Sequence, residues 1–142
     1  MRFWDASAIV PLLVHQTASA AVGGEAERDQ ELAVWWGTGV ECVSAFTRLE
    51  REGEITTTEL VAAIDNLQSL AASWVEIQPV ARIRKTAERL LRTHPLRAAD
   101  ALQLAAAIVA ADGDPRSLPF VTLDERLARA AEREGFPVVE PA

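Results

Sequence analysis

The chain is predicted to be an α/β protein with a central, mainly parallel sheet flanked by helices. Three observations predict it. Short apolar runs of strand length alternate along the chain with longer segments whose apolar residues recur at helical spacing. Whole helices separate the runs, and strands joined by a crossover helix pair in parallel. The 142 residues fit one domain, and with 49% hydrophobic residues they can close a core over both faces of such a sheet.

"RFW" (2–4) reads as a first strand feeding a helix over "SAIVPLLV" (7–14), capped by Ser7 or Asp5, with Pro11 leaving the helical start open. Helix-prone sequence at 17–28 ends in polar "ERDQ", and "ELAVW" (31–35) is strand-like. "GTG" (37–39) turns into a helix over about 39–52 that stops at Gly53. Thr58 is expected to cap an amphipathic helix with Leu60, Ile64, Leu67 and Leu70 on its apolar face. A strand at "WVEIQPV" (74–80) precedes a basic helix at 81–93. Pro95 opens the helix "LRAADALQLAAAIVAAD" (96–112), which "DGDP" (112–115) closes. The last elements are a strand in "LPFVT" (118–122), a helix "DERLARAAERE" (124–134) stopped by Gly135, and a strand "PVVE" (137–140).

A formal net charge of −7 argues against whole-surface attraction to nucleic acid or anionic lipid. One stretch differs. Arg82, Lys85, Arg89 and Arg92 follow helical spacing and, with Arg97, form either a solvated face or a patch for nucleic acid. The longest apolar run, "LAAAIVAA" (104–111), is too short to span a bilayer, and no secretory signal pattern opens the sequence. A soluble protein without a targeting signal is expected. The single Cys42, with only His15 and His94 besides, makes no internal disulfide and no Cys/His zinc site; a reducing cytosol fits.

In an open parallel sheet, functional residues gather beyond the carboxyl ends of the strands. Asp5 follows "RFW" directly, and Asp124 lies two residues past "FVT". Glu41 stands early in the helix after "ELAVW", and Asp100 near the start of its own helix. Taken singly, Asp5 and Asp124 are explained as N-caps and Glu41 as a helix residue bordering the stripe Val40, Val43, Phe46 and Leu49. Asp100 resists such a reading. Its same-face neighbours are Leu96, Gln103, Leu104, Ala107 and Ile108, and an unpartnered carboxylate among them is costly. Two answers stand: a pair with Arg97, three residues back, or a metal ion. Mg²⁺ and Mn²⁺ prefer carboxylate and water oxygens, and converging carboxylates around them can support phosphodiester hydrolysis without a histidine.

With these residues in view, the sequence resembles the PIN-domain ribonucleases, in particular the VapC-type toxins of prokaryotic toxin–antitoxin modules. "FWDASAIVPLLV" is similar to the family's opening strand with its first acid, Asp5, and "VECVSAFTRLEREGEI" to the helix carrying the second, Glu41. "LRAADALQLAAAIVAA" resembles the family's most recognisable segment, with Asp100, and "FVTLDERLARAAEREGFPVV" its closing unit, with Thr122 and Asp124. The resemblance implies that residues 1–142 form a single PIN-like nuclease domain, a Mg²⁺- or Mn²⁺-dependent endoribonuclease acting as a toxin. Asp5, Glu41, Asp100 and Asp124 would be its catalytic metal ligands, Asp124 the most variable. It further implies a homodimer and inhibition by a cognate antitoxin. Net acidity places the attraction of RNA on the metal and on the Arg82–Arg97 patch.

Ser7 and Thr122 adjoin the acids and can bond to a ligand carboxylate or a phosphate oxygen, or act as plain caps. Arg48, seven residues after Glu41, shares its side of the helix and is read as solvated, or as reaching a phosphate or an antitoxin carboxylate. "GTG" lacks a dinucleotide-binding context, and neither histidine is placed for a triad. Trp4, Trp35, Trp36 and Trp74 are expected in the core or a dimer contact, and Cys42 as a buried thiol. Two rival functions are a PIN-like module that binds RNA or a partner without catalysis, whose mark would be a missing acid, and a phosphoacceptor receiver-like domain. The second needs paired acids after the first strand and a late lysine; here Asp5 stands alone and the only lysine, Lys85, is in a helix.

Overall fold

Phe3 and Trp4 are consecutive residues of strand β1 (Arg2–Trp4), so their side chains leave opposite faces of the sheet, and both are fully buried. Each begins a core. Phe3 packs with Leu90, Leu104, Phe120 and Leu127; Trp4 packs with Ile9, Val22, Phe46 and Leu67. The computed structural model describes residues 1–29 and 31–142; Gln30, at the end of "ERDQ", lies outside the described residues.

The elements are β1, α1 (Ala6–Leu13), α2 (Ser19–Arg28), β2 (Leu32–Trp35), α3 (Thr38–Arg51), α4 (Thr57–Ala71), β3 (Val75–Ile77), α5 (Ala81–Thr93) and α6 (Ala98–Ala111). A 3₁₀ turn (Pro115–Ser117), β4 (Phe120–Val121), α7 (Glu125–Arg133) and β5 (Val138–Val139) follow. The five strands among the described residues are all parallel, in the order β3-β2-β1-β4-β5, with Arg2 beside Leu32 and Phe3 beside Phe120. The α/β expectation therefore holds. From central β1 the chain lays β2 and β3 on one side and β4 and β5 on the other. The order thus reverses beside β1, and a crevice opens beyond the carboxyl ends of β1 and β4.

Local chemistry sets the boundaries. Asp5, not Ser7, caps α1, and Pro11 is accommodated inside that short helix. The cap of α4 is Thr56 rather than the expected Thr58: Thr56 Oγ1 accepts the Glu59 N–H and Glu59 Oε1 accepts the Thr56 N–H, both at 3.1 Å. This reciprocal box needs an acid three residues after the cap, which Thr56 has and Thr58 lacks. Alanine-rich α6 buries Ala101, Leu104, Ala105, Ala106 and Ala107, packing closely on α5 and β2. It ends where Asp112 and Gly113 turn left-handed, at φ 46° and 82°.

Trp4 and Trp35 belong to the cores, and Cys42 is buried as expected. Trp36 instead is 53% exposed, beside an apolar cavity of about 630 Å³ between α3 and α4 that Val40, Ile64 and Trp74 also line. Among the described residues, no helix is long and apolar enough to cross a membrane.

Candidate active site

Asp5 leaves the end of β1 at the point where the sheet order reverses, and only 3% of it is exposed. The Ser7 backbone N–H donates to its Oδ1; the hydroxyls of Ser7, at 3.0 Å, and of Thr122 donate to its Oδ2. A hydroxyl has one proton to give, so both are spent on Asp5. The lone pairs then accept backbone amides: Ser7 Oγ from Leu123 at 2.9 Å and Thr122 Oγ1 from Asp124 at 3.0 Å. Two hydroxyls thus fasten the start of α1 to the β4–α7 connection. Burial pushes the Asp5 carboxyl up to about 6; bonds from Thr122 and Ser7 oppose the rise, and Asp100 adds to it.

Glu41 lies in the first turn of α3. Its Oε2 accepts from Gln103 Nε2 at 2.7 Å, and the same amide reaches the buried Thr38 hydroxyl at 3.1 Å. Burial pushes Glu41 up to about 7; the Gln103 bond lowers it, while Asp5 and Asp100 raise it. Asp100, in the first turn of α6, is half-buried. Its carboxyl is raised by burial and then by Asp124, against a lowering by Arg97. Arg97 is close enough to be felt, but among the described residues no ion pair joins it to Asp100. Asp124 caps α7, its Oδ1 accepting the N–H groups of Arg126 at 2.9 Å and Leu127 at 3.1 Å.

One cavity of about 320 Å³ is lined by Asp5, Glu41, Asp100 and Asp124 together, with Ser7, Gln16 and Arg48 on its walls. Asp5 and Asp124 are therefore helix caps and members of the cluster at once. Burial first, and repulsion between neighbouring acids after it, raise three of these carboxyl groups, and a cation would offset both. Among the described residues, no three His, Cys, Asp or Glu side chains stand together as a group that could hold a metal ion. Mg²⁺ in general keeps several waters and takes one or two protein carboxylates.

The basic stripe is placed differently. Arg82, Lys85, Arg89 and Arg92 are exposed on α5 and do not line the acidic cavity. Arg89 is held by Glu134 at 2.9 Å, so the stripe is partly neutralised. Arg97 does border the acids, in an adjoining cavity of about 650 Å³ that shares Asp100 and Asp124. Lys85, the lysine a receiver-like site would need, lines neither cavity. Sequence reasoning missed Gln103 as a functional residue. The signal was available: it is a polar side chain on the apolar face of α6, three positions from Asp100.

No protein-family model matches the chain. Over 141 residues, 96% of this chain and 92% of the relative, it is 32% identical to Ribonuclease VapC45 of Mycobacterium tuberculosis (strain CDC 1551 / Oshkosh). Its fold matches a toxin–antitoxin complex from Klebsiella pneumoniae with a TM-score of 0.68 at 16% identity, over 100% of this chain and 98% of the other. FitAcB from Neisseria gonorrhoeae gives a TM-score of 0.68 at 16% identity, over 99% and 98% of the two chains.

Proposed function

Because the chain belongs to the VapC family of PIN-domain ribonucleases, we propose that it is a toxin that cuts RNA endonucleolytically, using Mg²⁺ or Mn²⁺ at Asp5, Glu41, Asp100 and Asp124. The observation that carries this reading is the convergence of four carboxylates from four distant segments on one cavity. No catalytic acid is missing, which disfavours a purely binding module. A hard divalent cation, when bound, supplies an acidified water and offsets charge on the phosphoryl oxygens.

The chain's own contribution is placement. Ser7 and Thr122 fix the plane of the Asp5 carboxylate, Gln103 fixes Glu41, and the packed body of α6 holds Asp100. Asp124 spends Oδ1 on its helix and keeps Oδ2 for the cavity or a bridging water. The same reading gives the toxin a cognate antitoxin and a second copy in a homodimer; a toxin–antitoxin complex among its structural neighbours supports the former. A cytosolic setting is in keeping with the single free Cys42.

The test uses the purified chain, freed of antitoxin, on labelled RNA. Cleavage should require Mg²⁺ or Mn²⁺, stop with chelator, and be lost in Asp5→Asn and Asp100→Asn variants that still fold. Cleavage surviving in both variants overturns the mechanism.

A further inference from the structure

We propose that the backbone of an RNA strand crosses the acids between two arginine-bearing walls, with Arg97 and Arg126 holding the phosphates on one side of the scissile bond and Arg48 those on the other. The inference rests on the ribonuclease reading above and deepens it. The two cavities meet at Asp100 and Asp124, so together they make one continuous path with the acids in the middle. Arg48 lines one limb; Arg97 and Arg126 line the other.

This second pair stands at the starts of two helices that meet beside Asp100 and Asp124. Arg97 is the N-cap of α6 and makes no capping bond with its side chain. Arg126 is the second residue of α7. Both put a fixed positive charge at the positive end of a helix dipole, where acids and short polar caps are preferred. A local choice that opposes helix stability at two converging helix ends points to another use for the charge. Their charge is not already committed. Arg2, Arg28, Arg89 and Arg129 are each paired with a glutamate, whereas among the described residues Arg48, Arg97 and Arg126 are, like the remaining arginines, in no ion pair, and these three are the arginines that line the two acid-bearing cavities.

Electrostatics requires such a device. A chain of net charge −7 with four acids at its site repels a polyanion at a distance and at contact. Guanidinium groups stay charged at every relevant pH and grip phosphate oxygens with paired donors. Three of them flanking the acids restore local attraction where the strand must lie.

The test is fluorescence-anisotropy binding of a labelled single-stranded RNA to the full chain, freed of antitoxin, with Ca²⁺ as the divalent cation and salt varied. Arg97→Ala, Arg126→Ala and Arg48→Ala should each weaken binding roughly fivefold for every sequence tried and reduce the slope of log affinity against log salt by about 0.7. Arg133→Ala, an equal change of charge away from both cavities, should leave that slope as it is. The path is overturned if the three variants bind RNA like the parent, or if Arg133→Ala has the same effect as they do. A parent chain that neither binds RNA nor cuts it with Mg²⁺ or Mn²⁺ overturns the ribonuclease reading itself; one that cuts while the arginine variants bind normally overturns the path alone.

Discussion

Gln103 on α6 donates to Glu41 on α3 across 2.7 Å, and it does so from a position 1% exposed. The bond joins a packed helix to a charged site. Because Gln103 also meets Thr38, its amide has little freedom to turn, and the Glu41 carboxylate inherits that order.

Gln103→Leu keeps the bulk and removes the donor. Glu41 then loses the bond that lowers its proton affinity, and Thr38 loses its partner. The variant should be less stable by about 1 kcal/mol, and the acid limb of its pH–rate profile should move to higher pH. Chemical denaturation and cleavage rates between pH 5 and 8 check both; an unmoved acid limb would separate Gln103 from the chemistry.

Protons and cations compete for the same oxygens. With Asp5 pushed up to about 6 and Glu41 up to about 7, part of the cluster is protonated in mildly acidic solution. Mg²⁺ or Mn²⁺ binding should therefore release protons at pH 6 and tighten toward pH 8. Titration calorimetry in buffers of different ionisation heat measures the release, which should largely vanish in the Asp5→Asn, Glu41→Gln double variant.

The metal-free fold should respond to pH in the opposite sense. Both carboxyls bind protons more tightly in the folded chain than at their unfolded values near 4, so their contribution to stability is present below about pH 4 and is lost as pH rises through about 6 and 7. In chelator, the melting temperature should fall by roughly 5 °C over that window. Asp5→Asn retains a good helix cap and should flatten the fall.

Glu134 behaves as the reverse case. Burial pushes its carboxyl up, but the bond from Arg89 at 2.9 Å and the contact with His94 Nε2 at 2.7 Å outweigh burial and hold it below its usual range. Its contribution is present above the unfolded value and lost as pH falls through the lower folded one. Glu134→Gln should cost about 1 kcal/mol at pH 7 and almost nothing near pH 3. Urea unfolding at the two pH values gives the comparison; an equal cost at both would show that charge is not the cause.

What the sequence revealed and what it hid divide by the range of the interaction. Asp5 and Asp124 were legible because each stands just past an apolar strand, and a parallel sheet brings such ends to one edge. Asp100 was legible through its conflict with apolar neighbours. The partners were not: Gln103 finds Glu41 from 62 residues away, and Arg89 finds Glu134 from 45. Helical spacing grouped Arg89 with Arg82, Lys85 and Arg92, but it says nothing of an acid arriving from the end of another helix. Likewise Arg97 was visible beside Asp100, whereas its juxtaposition with Arg126 depends on α6 and α7 starting at the same crevice.

The hydroxyl that completes Asp5 belongs to Thr122, 117 residues further along the chain. During synthesis the first strand is made at once, yet one of its flanks stays empty until β4 emerges. A nascent chain, or one left short by interrupted translation, holds Asp5 without Thr122 to orient it and without Asp124 beside it. Assembly of the acids is therefore among the last events in making this protein, and a truncated product that stops before β4 should be inert toward RNA in the cell that made it.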